Sequence, residues 1–192
     1  MERKVVSKWL KIFSVSFFIL SIVELLDLIL FSFLINLNLD GAYYTIFNIV
    51  FDSGFMTIHA ILLWIILFCV MCSFIVLSLS IFKAAKKNTI ENHIFAKFLL
   101  LIGLFLVIGG FIKTNFIVLL GNSYINTGIT YITLQDAIYS PLYSIPPVIG
   151  AIMWVYFTFV TSCFLISGLI FGGVGLKWML LIQEEESSNK KK

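Results

Sequence analysis

Four long apolar runs dominate the chain, near 10–35, 55–82, 94–120 and 148–176. Each is long enough to cross a hydrocarbon core about 30 Å thick, which takes about 20 helical residues. Backbone N–H and C=O groups cannot go unpaired in lipid, so continuous apolar runs of this length must be helices. A lipid-facing β-barrel needs short alternating segments, and these runs do not alternate. The pattern predicts an all-α fold, an integral membrane four-transmembrane-helix bundle. It forms one domain over 1–183, followed by a disordered charged tail over 184–192.

The segments between the runs differ in charge. Twelve of the 13 Lys and Arg residues fall at the N-terminus, in the linker 83–97 or at the C-terminus. The other two connecting segments, 36–54 and 121–147, hold Asp40, Asp52 and Asp136 and no Lys or Arg. Basic residues beside a span mark the cytoplasmic side, so both termini are expected to be cytoplasmic, in a plasma membrane protein. Six of the seven tyrosines lie in the two Lys-free segments, where an apolar ring with a wet hydroxyl suits the interface. The net charge of +3 therefore reads as orientation and headgroup contact, with no nucleic acid as partner. The first run is too long and too acidic for a cleaved signal peptide and is expected to be retained.

Local signals place the helix ends. Ser53 suits the cap of the second span, with Asp52 at the positive end of its dipole. Gly121 suits a left-handed cap at the end of the third, and Pro146-Pro147 the start of the fourth. Within 121–147, the apolar residues Ile132, Leu134, Ile138, Leu142 and Ile145 predict a short interfacial helix near 134–143.

Four groups of residues carry candidate chemistry. The first is Glu24 and Asp27 in the first span with Lys113 in the third. Counted from the cytoplasmic ends at 1.5 Å per residue, the acids lie roughly 21–25 Å deep and the lysine roughly 24 Å. Ionisable groups inside a span are costly and are usually paired or functional. The three form an ion pair locking two spans, or a proton or cation site, or Lys113 snorkels outward. Two acids against one lysine leave a surplus carboxyl to be protonated, hydrated or paired with a partner subunit. Ser14, Ser21 and Ser32 recur near the same helical face, which points inward or at a partner.

The second group is Cys69-Val-Met-Cys72, with Cys163 at a similar depth. Quinone-linked thiol oxidoreductases carry C-x-x-C in four-helix membrane bundles, near a helix end. Here the pair is mid-span, where apolar surroundings favour inert, buried thiols. The third is the run Asp52-Ser53-Gly54-Phe55-Met56-Thr57-Ile58-His59. It resembles the stretch D-S/T-x-F-T-P-x-H in the C subunit of copper membrane monooxygenases. The resemblance implies His59 as a copper ligand, with Asp52 beside it. An earlier D-x-x-x-H supplies two more ligands in that family. Asp40-Gly41-Ala42-Tyr43-Tyr44 keeps the Asp but has Tyr44 at the His position, and the family's later N-E-x-x-H is missing. The resemblance covers about twenty residues. The alternative for these residues is a capped helix start and an interfacial His.

The fourth group is glycine. Gly168-x-x-x-Gly172, with Gly103, Gly109 and Gly110, allows close helix approach, either within the chain or between chains. Nothing resembles a phosphate loop, a Ser-His-Asp arrangement or a structural zinc site, and no cofactor is expected. The leading expectation is a non-catalytic subunit or scaffold of a larger membrane complex, a homo- or hetero-oligomer in the lipid bilayer. The alternatives are a small ion or proton-coupled transporter or channel using Glu24, Asp27 and Lys113, and a membrane oxidoreductase component.

Overall fold

The structure, a computed structural model, describes residues 3–52, 58–86, 92–127 and 130–189. It is mostly helical, with four helices long and apolar enough to cross a membrane. The long helices are α1 (Arg3–Leu34), α3 (Ile58–Lys86), α4 (Asn92–Gly121) and α6 (Pro147–Asn189). The apolar spans within them are Ser7–Leu34, His59–Lys86, His93–Gly121 and Val148–Glu184. The stretch 184–192, expected to be disordered, is helical as far as Asn189, and 190–192 lie outside the described residues.

Each long helix buries one narrow seam. On α1 it runs through Leu10, Ser14, Phe17, Ser21, Glu24, Leu28 and Phe31. On α4 it runs through Phe95, Leu99, Ile102, Leu106, Gly109, Lys113, Phe116 and Leu120. The steps alternate between four residues and three, the 3.5-residue repeat of knobs-into-holes packing. The same alternation links Leu67, Met71, Phe74, Ser78, Ile81 and Ala85 on α3, and Trp154, Phe157, Thr161 and Phe164 on α6. Glu24 and Lys113 therefore occupy inward positions of their own helices.

The chain packs as two compact units, each holding part of all four long helices. The first comprises Met1–Ile22, Met71–Gly110 and Cys163–Lys192. Its polar contacts are serine to carbonyl. Ser14 and Ser78 donate to each other's backbone oxygens at 2.9 and 2.8 Å, and Ser7 donates to Ala85 O at 2.8 Å. Phe13 meets Phe95 on α4 and Phe171 on α6, and Phe74 meets Phe105 and Phe164.

The second unit comprises Val23–Val70 and Phe111–Ser162. It holds the two Lys-free segments, and these are not purely helical. Strands β1 (Asn36–Leu39) and β2 (Ala42–Thr45) form an antiparallel hairpin. Its two-residue turn is Asp40-Gly41, both at positive φ, 53° and 79°. That is the turn geometry whose twist matches the strands, and Asp-Gly is a preferred pair for it. Strands β3 (Tyr124–Asn126) and β4 (Tyr131–Thr133) form a second hairpin. Strand β5 (Ser144–Ile145) pairs with β1, so the two segments share one three-stranded sheet in the order β2-β1-β5.

A six-residue helix follows each hairpin: α2 (Ile46–Phe51) and α5 (Leu134–Tyr139). Thr45 caps the first by accepting from Asn48 N, and Thr133 caps the second by accepting from Asp136 N. The interfacial helix expected near 134–143 is thus α5, ending four residues earlier. The two halves of the chain share an order of elements, long helix, hairpin, threonine-capped short helix and long helix, with strand β5 added before the last helix of the second half. Strictly all-α is therefore corrected to mostly helical, because short polar-apolar alternations outside the spans pair as strands.

Two expected helix ends need comment. Gly121 is not a left-handed cap, since Gly41 is the glycine at positive φ among the described residues. A Cβ on Gly121 would stand 3.0 Å from the Trp154 ring, so glycine there gives room to an indole. Ser53 lies outside the described residues, and Asp52 closes α2 as its C-cap.

Candidate functional site

Glu24 and Asp27 sit one turn apart on α1, and α4 brings Lys113 to both. Lys113 Nζ donates to Glu24 Oε2 and to Asp27 Oδ2, each at 2.9 Å. The three side chains are 1–2% exposed. A third group completes the surroundings. Lys113 Nζ stands 3.9 Å from the centroid of the Phe157 ring on α6, within cation–π range. Phe157 is held in turn, stacked on Phe31 of α1 at 4.2 Å and edge-on to Phe116 of α4.

The position along the spans follows from helix rise. Glu24 and Asp27 precede Leu34 by ten and seven residues, and Lys113 precedes Gly121 by eight. At 1.5 Å per residue the cluster lies about 10–15 Å inside the ends that carry the sheet. The spacing argument thus brought the three residues to one level, and the structure joins them directly.

The electrostatics are unbalanced. With all three groups ionised the cluster carries a formal charge of −1 in apolar surroundings. An uncompensated buried charge costs several kcal/mol, even after relaxation of the protein around it. Asp27 Oδ1 is buried with no hydrogen-bond partner, so the second oxygen of that carboxyl is unsatisfied.

The serines of α1 behave as their common face implies. Ser14, Ser21 and Ser32 are all buried. Ser21 and Ser32 donate back to Phe17 O and Leu28 O, at 2.6 and 2.7 Å. Ser32 Oγ also accepts from Trp64 Nε1 of α3 at 3.0 Å.

The other candidates are placed differently. His59 at the start of α3 and Asp52 at the end of α2 are both exposed. Among the described residues no group of three or more His, Cys, Asp or Glu is arranged to hold a metal ion. Asp40 is a hairpin turn residue, and Tyr44 lies on β2. The three cysteines are free thiols. Cys69 and Cys163 are exposed on their helices and Cys72 half-buried, so the expected burial is corrected: all three lie off the buried seams of their helices.

The glycines bring α4 against α6. A Cβ on Gly103 would overlap the backbone of Gly172 and stand 2.7 Å from Gly168 O. One on Gly168 would meet Val107 N at 2.8 Å, and one on Gly110 would meet Leu165 Cγ at 2.9 Å. Gly175, which the spacing did not single out, makes the tightest remaining approach, 2.5 Å from Leu100 N.

Sequence reasoning missed Phe157, the ring beneath the ammonium, and Ser78, the partner of Ser14. The 3.5-residue spacing was the available signal, since both lie on seams of their helices. No family model matches the chain, and neither a curated protein nor a solved structure matches it.

Proposed function

We propose that this chain is an integral membrane four-helix bundle with both termini cytoplasmic, working as a non-catalytic subunit of a larger membrane assembly. The observation that carries the reading is the outward face of α6. Only 22% of its most apolar window is buried, against 44% for α4. Ile152, Val155 and Phe159 are more than half exposed, and with Ala151 and Tyr156 they line an open apolar groove of about 450 Å³. Buried polar contacts, by contrast, tie the chain's own helices together, Ser7 and Ser14 to α3 and Glu24 and Asp27 to α4. The plasma membrane is the membrane proposed, on the asymmetry of basic residues.

Purification in mild detergent tests the reading. A co-purifying partner, or a stable oligomer, is the expected result. A monodisperse particle of one chain would sink it.

A second reading has its own observation. Two carboxylates on one ammonium, one with an unsatisfied oxygen, favour a small proton- or cation-coupled carrier using Glu24, Asp27 and Lys113. Flux into liposomes holding the purified protein separates the readings. Unchanged flux after Glu24→Gln and Asp27→Asn removes the carrier.

A further inference from the structure

We propose that the Glu24–Lys113–Asp27 cluster binds one proton, held on the Asp27 carboxyl. This deepens the second reading above without requiring transport, because a proton can reside in the cluster and never cross the membrane.

One ammonium neutralises one carboxylate, and both carboxylates contact the same ammonium at the same distance, 2.9 Å. Neither can be assigned to water, since each side chain is almost fully enclosed. A charge buried in this way neutralises rather than stays bare. The neutralising species is therefore a proton or a metal cation.

Geometry selects the proton. Lys113 Nζ already occupies the point between the two carboxylates, and a second cation there would sit beside an ammonium. A metal cation also needs several oxygen ligands. A proton needs one oxygen only, adds no volume and removes the surplus charge.

Geometry also selects the seat. Asp27 Oδ1 is the oxygen of the cluster that is buried without a partner. Protonation there leaves Oδ2 free to keep its bond from Lys113. The new O–H bond forms with a proton taken from water and returned to water on release, with no electron transferred. The Glu24 carboxylate stays ionised, balanced by Lys113 at 2.9 Å.

Among the described residues, the elements around the cluster add no buried charge of their own. α6 contributes the uncharged Phe157 ring. The part of α3 in this unit, from Ile58 to Val70, carries His59 and Cys69 as its titratable groups, both exposed. The other three aspartates, Asp40, Asp52 and Asp136, are all exposed, so a protonated aspartate at neutral pH is attributable to Asp27.

Infrared spectroscopy of the full chain in lipid nanodiscs tests the proposal. The expected result at neutral pH is a C=O band of a protonated carboxylic acid, shifted in D2O and shifted again when aspartate is labelled with ¹³C at its carboxyl. No such band, or a band that the aspartate label leaves in place, overturns the proposal. Loss of the band on replacing choline by sodium or potassium also overturns it, by showing a metal cation in the proton's place. Lys113→Met, which removes the only positive charge of the cluster, should add a second band from Glu24. Should that variant not fold, the labelling of the wild-type protein still decides.

Discussion

Ser14 on α1 and Ser78 on α3 donate to each other's backbone carbonyl oxygens, closing a reciprocal pair of buried hydrogen bonds between two long helices. Each hydroxyl reaches across to the neighbour instead of back along its own helix, as Ser21 and Ser32 do. Between spans such bonds contribute little individually, on average about 0.6 kcal/mol. Ser14→Ala and Ser78→Ala should each destabilise the fold by about 1 kcal/mol or less, and the double variant by less than their sum. Reversible unfolding in mixed micelles, run as a double-mutant cycle, reads the coupling. Strict additivity would show that the pair does not act as a unit.

Lys113 is the position of largest expected effect. Lys113→Met takes the counter-charge from Glu24, which must then take up a proton or stay buried and bare, a change that costs about 3–5 kcal/mol for a buried pair. Adding Glu24→Gln and Asp27→Asn removes both ionisable carboxyls and should recover most of that loss. The measurement is thermal or denaturant unfolding of the three proteins. A triple variant no more stable than Lys113→Met would mean that the charge balance is not what holds α1 to α4.

The α4–α6 approach is expected to tolerate no side chain at Gly103. A Cβ there meets Gly172 and Gly168 main-chain atoms, which cannot rotate away. Gly103→Val should lower stability by about 3 kcal/mol or more, the upper end of overpacking costs. Gly173→Ala is the control, since nothing lies within 4 Å of its added Cβ, and should change stability by about 0.5 kcal/mol at most. Equal losses at both positions would point to helix propensity instead of packing.

Orientation is tested by thiol labelling. In a background lacking the three native cysteines, Tyr43→Cys on β2 should react with a membrane-impermeant maleimide applied to intact cells. Lys83→Cys at the end of α3 should react only after the cells are opened. The reverse pattern would place the sheet and the Lys-free segments in the cytoplasm.

Much of the molecule was legible in one dimension. Apolar runs exceeding about 20 residues have one solution in lipid, because every backbone polar group must be paired within the segment. The helices therefore cover their expected positions, although α1 begins seven residues earlier and α6 runs thirteen residues further. The meeting of Glu24, Asp27 and Lys113 was also legible, because rise per residue converts sequence position into depth, and ionised groups at one depth attract. The hairpins were not foreseen. Their alternation covers at most four residues at a time, and Asp40-Gly41 is a turn signal only when flanked by strands long enough to pair.

What the sequence by itself determined is the length, number and apolar character of the helices, and the presence of two acids and one base at a common level. What the tertiary structure alone decided is which faces meet. The 3.5-residue seams place Glu24 and Lys113 inward, set Phe157 beneath the ammonium and leave Asp27 Oδ1 without a partner. The reason is that depth is a property of one helix, set by 1.5 Å per residue. Rotation about the helix axis depends on the packing of all its neighbours, and that packing is absent from any single segment.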